Sequence, residues 1–266
     1  MSEPAPKPPS DREDPFYVGY LTTPQTYRSS VKLAISLIAI WGAMSAFLIV
    51  LSQRSPGPAA WDISNEKAWT GLLVEHPYPM LVTHDDALLV VSMGKRDARN
   101  QLEGHYGSEL TIRGYELDRE GRKMIELAPD GIGTPQKTTT IERPEIRIVQ
   151  DEPREYTGEI IDGKCFLGAM KPGDGFGHRS CAVLCLRGGL PPMFAEVNAP
   201  ADAQFPLLII DGSASVPESL MGKVACKVRM RATPARYANM PVLLVDSSEI
   251  EVIDDLFGRS AETTMP

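Results

Sequence analysis

One uncharged run, Leu33 to Leu51 (LAISLIAIWGAMSAFLIVL), constrains this chain more than any other feature. At ~1.5 Å per residue it spans roughly 28 Å as a helix, about the thickness of the hydrocarbon core of a bilayer. Backbone polar groups in lipid must be bonded internally, so such a run can cross only as a helix. A cleaved leader is the competing reading. Its apolar region is usually about 7–15 residues long and lies close to the N-terminus. The run here is longer and starts some thirty residues into the chain, and Pro58-Ala59-Ala60 is too far downstream to serve as its cleavage site. The expectation is therefore a single uncleaved transmembrane helix over residues 31–53.

Arg28 and Lys32 precede the run and Arg54 follows it. This slight positive bias, with the short leading segment, sets residues 1–30 inside and everything after the helix outside the cytoplasm. The leading segment is polar and proline-rich (SEPAPKPPSDREDP), too poor in apolar residues to fold, and is expected to be a disordered tail. A second tail is expected at 255–266.

The remainder reads as mainly β. Its 23 prolines and 22 glycines, counted over the whole chain, suit many short strands and turns better than long helices. Two stretches share a plan. The first opens with Trp69-Thr70-Gly71 and a β-prone run, and the second with Tyr156-Thr157-Gly158. A second apolar run follows in each, at Ala87–Val91 and at Phe205–Ile210. Then comes a glycine with a long alternating segment, at 107–115 and at 222–230, and after a turn a last strand at 123–127 and 241–245. Alternation of period two marks half-buried strands. Short strands that curl into a small barrel remove their own edges. The expected architecture is a transmembrane helix followed by two tandem OB-like β-barrels, at 61–130 and 154–254, joined by a linker at 131–153 with a short strand near Ile146–Val149. One continuous β-sandwich is the alternative.

The second repeat carries an insertion with chemistry. Cys165, His178, Cys181 and Cys185 fall within twenty-one residues. Ser180 as N-cap and Gly188-Gly189 as stop predict a short helix that sets Cys181 and Cys185 on one face. Thiolates and an imidazole are soft ligands, so a transition metal ion is one occupant this set fits, with its identity open. The spacing matches no standard zinc-finger or iron–sulfur pattern, and Cys-x-x-Cys-His is absent, which argues against covalent haem. Disulfides are the second reading: Cys165 with Cys181 or Cys185, and Cys226 with the other. A reactive thiol at Cys181, near a helix N-terminus and with His178 as proton partner, is the third. Asp162 is either an outer-shell partner of a metal or a turn residue.

The segments Gly158-Glu159-Ile160-Ile161-Asp162-Gly163-Lys164-Cys165, His178-Arg179-Ser180-Cys181-Ala182-Val183-Leu184-Cys185 and Gly189-Leu190-Pro191 resemble a small bacterial exported domain. That domain carries a Cys…His-x-x-Cys-Ala-x-x-Cys motif on OB-like strands and has no established activity. The resemblance covers about residues 156–253. It implies an OB-like fold on the periplasmic side of a bacterial inner membrane, and it carries a site rather than a reaction. Leu190 departs from the Ile or Val expected before the proline.

Other signals are weaker. His76 and His84 are more ordinary as turn or surface residues than as ligands. Gly94-Lys95 lacks the glycines of a phosphate loop. No Gly-x-Ser-x-Gly or His-Glu-x-x-His occurs, and no catalytic residue is assigned. A formal net charge of -8 argues against a nucleic-acid partner. The sequence leans to a non-enzyme: a membrane-anchored extracytoplasmic accessory protein, or a subunit of a redox or respiratory membrane complex, with a metal or disulfide site in its second barrel. A thiol- or metal-dependent redox enzyme and a purely structural disulfide-stapled anchor protein are the alternatives.

Overall fold

A computed structural model describes residues 25–52, 57–136, 141–196 and 205–254. The chain divides into two units, Met1–Pro56 and Gly57–Pro266. In the first, α1 (Gln25–Ser52) is an unbroken helix. Its stretch Tyr27–Ile49 is long and apolar enough to cross a membrane. Leu33, Ile38, Trp41 and Phe47 are all exposed, as an apolar surrounding would require. The helix takes in residues 25–30, which the sequence reading gave to the tail: no proline stands after Pro24 to stop it growing backward. The rest of that tail, residue 53 of the expected span and the 255–266 tail lie outside the described residues.

The second unit holds two closed five-stranded barrels. The first comprises β1 (Ala59–Val74), β2 (Met80–Val82), β3 (Ala87–Val91), β4 (Glu109–Arg119) and β5 (Arg122–Ile132), in the order β1-β2-β3-β5-β4, with β4 returning to β1. A four-residue helix, α2 (Arg99–Leu102), links β3 to β4. After β6 (Ile146–Ile148), the second barrel comprises β7 (Arg154–Asp162), β8 (Pro192–Glu196), β9 (Leu207–Ile210), β10 (Lys227–Tyr237) and β11 (Met240–Asp254). Its order is β7-β8-β9-β11-β10, closed by β10 on β7, with β6 extending β10. In both barrels the third strand pairs with the fifth in parallel, β3 with β5 and β9 with β11, while the other pairs are antiparallel. The repeat read from the sequence is therefore a repeat of topology.

Two strands escaped the sequence pattern. β2 has three residues and β8 five, and both are apolar throughout their buried parts, so no alternation announces them. The glycine-led segment at 222–230 also divides: Glu218–Lys223 is a 3-10 helix, and β10 begins only at Lys227.

The apolar runs of β3 and β9 have a physical reason. A strand buried on both faces reads as a continuous hydrophobic run. Leu88 and Val90 point into the first barrel's own core, with Leu73, Leu81, Leu110 and Ile125. Leu208 and Ile210 do the same in the second, with Ile160, Phe194, Val228 and Leu243. The alternate residues Leu89, Val91, Leu207 and Ile209 join a third cluster shared by both barrels, which includes Val74, Met80, Met124, Ile161, Phe166 and Met193. The barrels are thus packed against each other along an apolar seam, and the Cys/His insertion is at one part of it.

Candidate functional site

The insertion leaves the end of β7 and passes through a π turn (Cys165–Ala169), a 3-10 turn (Phe176–His178) and α3 (Arg179–Arg187) before β8. Asp162, the last residue of β7, organises it. One carboxylate oxygen accepts the Cys165 backbone N–H at 2.9 Å. The other lies 2.9 Å from His178 Nε2. Asp162 is wholly buried and His178 nearly so. It is both a turn residue and the partner of the imidazole. Its hold on Nε2 leaves Nδ1 as the ring nitrogen available to a ligand. A carboxylate that fixes the ring in this way is the usual support of a metal-ligating histidine.

The helix forms where the sequence placed it, but its N-cap is His178, and Ser180 lies one residue inside. Gly188 ends it, with its N–H on the Leu184 carbonyl. Cys181 and Cys185, one turn apart, face Cys165. Cys165 Sγ is 3.9 Å from Cys181 Sγ and 3.7 Å from Cys185 Sγ. A Zn–S bond of about 2.3 Å sets the sulfurs of a tetrahedral site roughly 3.8 Å apart. Ligand atoms of Cys165, His178 and Cys181 lie within 4.8 Å of one another, as do those of Asp162, Cys165 and Cys185. Cys165 is common to both groups. The donor set fits a soft or borderline transition metal held by thiolates and imidazole.

All four cysteines are thiols in this structure. Cys226 belongs to the second barrel's own core, whereas Cys185 lies in the seam cluster with Cys181 packed against it, so the expected pairing of Cys226 with Cys181 or Cys185 is overturned by their separation into different cores. The insertion thiols are unequal. Cys165 and Cys185 are buried, and Cys181 is only half-buried. The Cys165 thiol is pushed up, first by its hydrogen bond to Cys185, then by burial and the nearby Asp162 carboxylate. Cys185 is drawn down to about 7 by the same bond, against its burial, with Lys95 assisting.

Lys95 is the residue that sequence reasoning missed. It sits in the first barrel's loop between β3 and α2, where the pair Gly94-Lys95 carries no motif that points to a thiol. Its ammonium donates to Cys181 Sγ at 2.6 Å and lies 3.7 Å from Cys185 Sγ. Its pKa is raised, chiefly by the bond to Cys181. The backbone around it is clamped. A Cβ on Gly188 would come within 1.7 Å of the Lys95 carbonyl oxygen, so only glycine permits this approach. Asp97 N–H donates to the Gly188 carbonyl at 3.0 Å, and Tyr78 Oη to that of Gly189 at 2.9 Å.

Lys164, just before Cys165, completes the clamp. It is buried and pairs with buried Glu126 of β5 at 2.8 Å. It also donates to the Ser92 and Gly94 carbonyls, each at 2.8 Å. The ammonium thus donates to two carbonyls of the first barrel and pairs with one of its carboxylates. Arg119 of β4 stacks at 4.0 Å over the Phe166 ring. His76 and His84 are exposed turn residues, and no group of metal donors among the described residues includes them.

Searches of known protein families, of curated proteins and of solved structures find no match to this chain.

Proposed function

We propose that this chain is a membrane-tethered accessory protein that holds a transition metal ion at Cys165, His178, Cys181 and Cys185. In this reading α1 is a single membrane span, both barrels are OB-like, and residues 57–266 work outside the cytoplasm as part of a redox or respiratory membrane complex. The observation that carries it is the convergence of three thiols and one carboxylate-anchored imidazole at the seam of the barrels. A turn stapled by Asp162 and a helix ended by Gly188 bring these donors together, and such supported rigidity is what a metal site requires.

The metal would supply a fixed positive charge among the thiolates, and the chain's own residues do the rest. Asp162 holds the imidazole by Nε2, Lys164 fixes the backbone before Cys165, and Lys95 balances thiolate charge from the other barrel. The test is metal analysis of the full chain purified in detergent under reducing conditions. Stoichiometric zinc or copper, lost in Cys165→Ser and His178→Ala variants that still fold, is expected. Absence of metal after reconstitution with both ions would overturn the reading.

A further inference from the structure

The same pocket has the parts of a second chemistry that the metal reading does not use. Cys181 is the one accessible thiol of the insertion, and it stands in the first turn of α3, where backbone N–H groups favour negative charge. The Lys95 ammonium donates directly to its sulfur at 2.6 Å. A buried thiol, Cys165, waits 3.9 Å behind it. An exposed sulfur held beside a cation, with a protected sulfur in reach, is the arrangement of an attacking and a resolving cysteine.

We propose that Cys181 and Cys165 are a dithiol couple that exchanges with an external disulfide, with Lys95 of the first barrel donating to the Cys181 sulfur. The Cys181 thiolate attacks one sulfur of the external disulfide. A mixed disulfide forms, the external S–S bond breaks, and the first external thiolate leaves. Cys165 Sγ then attacks Cys181 Sγ, forms the Cys165–Cys181 bond and expels the second external thiolate, which takes up the Cys165 proton. Two cysteine thiols are oxidised by two electrons, and one disulfide is reduced to two thiols.

A consequence follows for the metal site, and this part rests on the function proposed above. Cys165 is the donor common to both ligand groups. Locking it into a disulfide removes a thiolate from each, so oxidation releases the metal and reduction restores the site. The couple is then a redox gate on metal occupancy.

The experiment uses the reduced full chain in detergent, exposed to oxidised glutathione and mapped by peptide mass. A Cys165–Cys181 cross-link is expected in the wild type, and glutathione trapped on Cys181 is expected in Cys165→Ser. Lys95→Met should form the adduct several-fold more slowly, and Lys95→Arg should restore most of the rate. A Cys165–Cys185 link, no link at all, or an unchanged rate in Lys95→Met would overturn the couple. Zinc binding is then measured before and after oxidation. Binding lost on oxidation supports the gate, and binding retained overturns it. A reduced protein that binds no metal yet forms the cross-link would sink the metal reading and leave the exchange standing.

Discussion

The two barrels share strand order, strand direction and the parallel closing pair, yet they contribute unlike things to one site. The second barrel interrupts the connection between its first two strands with a turn and a helix that carry three thiols and an imidazole. The first barrel makes the same connection, from Val74 to Met80, in five residues and supplies no thiol at all. What it supplies is a cation, Lys95, from the loop after its third strand. The difference shows how a duplicated fold can divide labour: one copy grows the reactive insertion, and the other becomes the wall and counter-charge against which the insertion folds.

That division is broken most severely at Lys164. Lys164→Met leaves Glu126 buried and unpaired, and a loss of about 3–5 kcal/mol in unfolding free energy is expected by denaturant titration. Adding Glu126→Leu should recover much of it, because two apolar residues leave no stranded charge. If the single variant were as stable as the parent, the seam would not be the anchor described above.

Next come the two faces of β9. Leu207 points to the shared seam and Leu208 to the second barrel's interior, and both are fully buried. Leu→Ala at either position should cost about 2–5 kcal/mol. A seam variant much cheaper than the interior one would mean that the barrels fold independently.

Asp162→Asn sharpens the comparison at the site. It weakens the hold on both His178 and the Cys165 turn, and metal affinity should fall by about 10–100-fold in a competitive chelator titration. An unchanged affinity would remove His178 from the ligand set.

One pH effect is expected from the first barrel. Burial, with the Glu75 charge adding to it, pushes the Tyr106 hydroxyl up from 10.0 to about 12. The unfolded chain therefore loses this proton first, so stability falls as pH rises through that window and is unaffected by it below. Tyr106→Phe should flatten thermal stability between those values, and a curve that keeps its slope would exclude Tyr106 as the cause. The smallest effect belongs to the exposed Arg113–Glu66 pair at 2.6 Å. Glu66→Ala should change stability by about 0.2–1 kcal/mol, because solvent screens such pairs.

Much of the local structure was legible in the sequence. The apolar run predicts a helix long enough to cross a membrane, and α1 is such a helix. The repeat was visible because alternation in β4 and β10 records one face in and one face out. Cys181 and Cys185 were placed on a helix by their spacing and by Gly188-Gly189. The failures are physical as well. β2 and β8 are too short to show a period. Ser180 is a good cap by type, but the 3-10 turn ahead of α3 gives that position to His178. A disulfide to Cys226 is reasonable on counting alone, because a linear sequence does not say which core a cysteine enters.

By itself, then, the sequence determined what depends on neighbours along the chain: the apolar helix, the strand periodicity and the gathering of Cys165, His178, Cys181 and Cys185 within one insertion. Tertiary structure alone decided that the barrels share a seam, that Glu126 and Lys164 neutralise each other inside it, and that Lys95 reaches Cys181 across 86 residues of chain. The reason is that a lone charged residue carries no local signal of its partner. The packing of β3 and β9 on both faces brings the two barrels together, and only that contact brings Lys95 to a thiol.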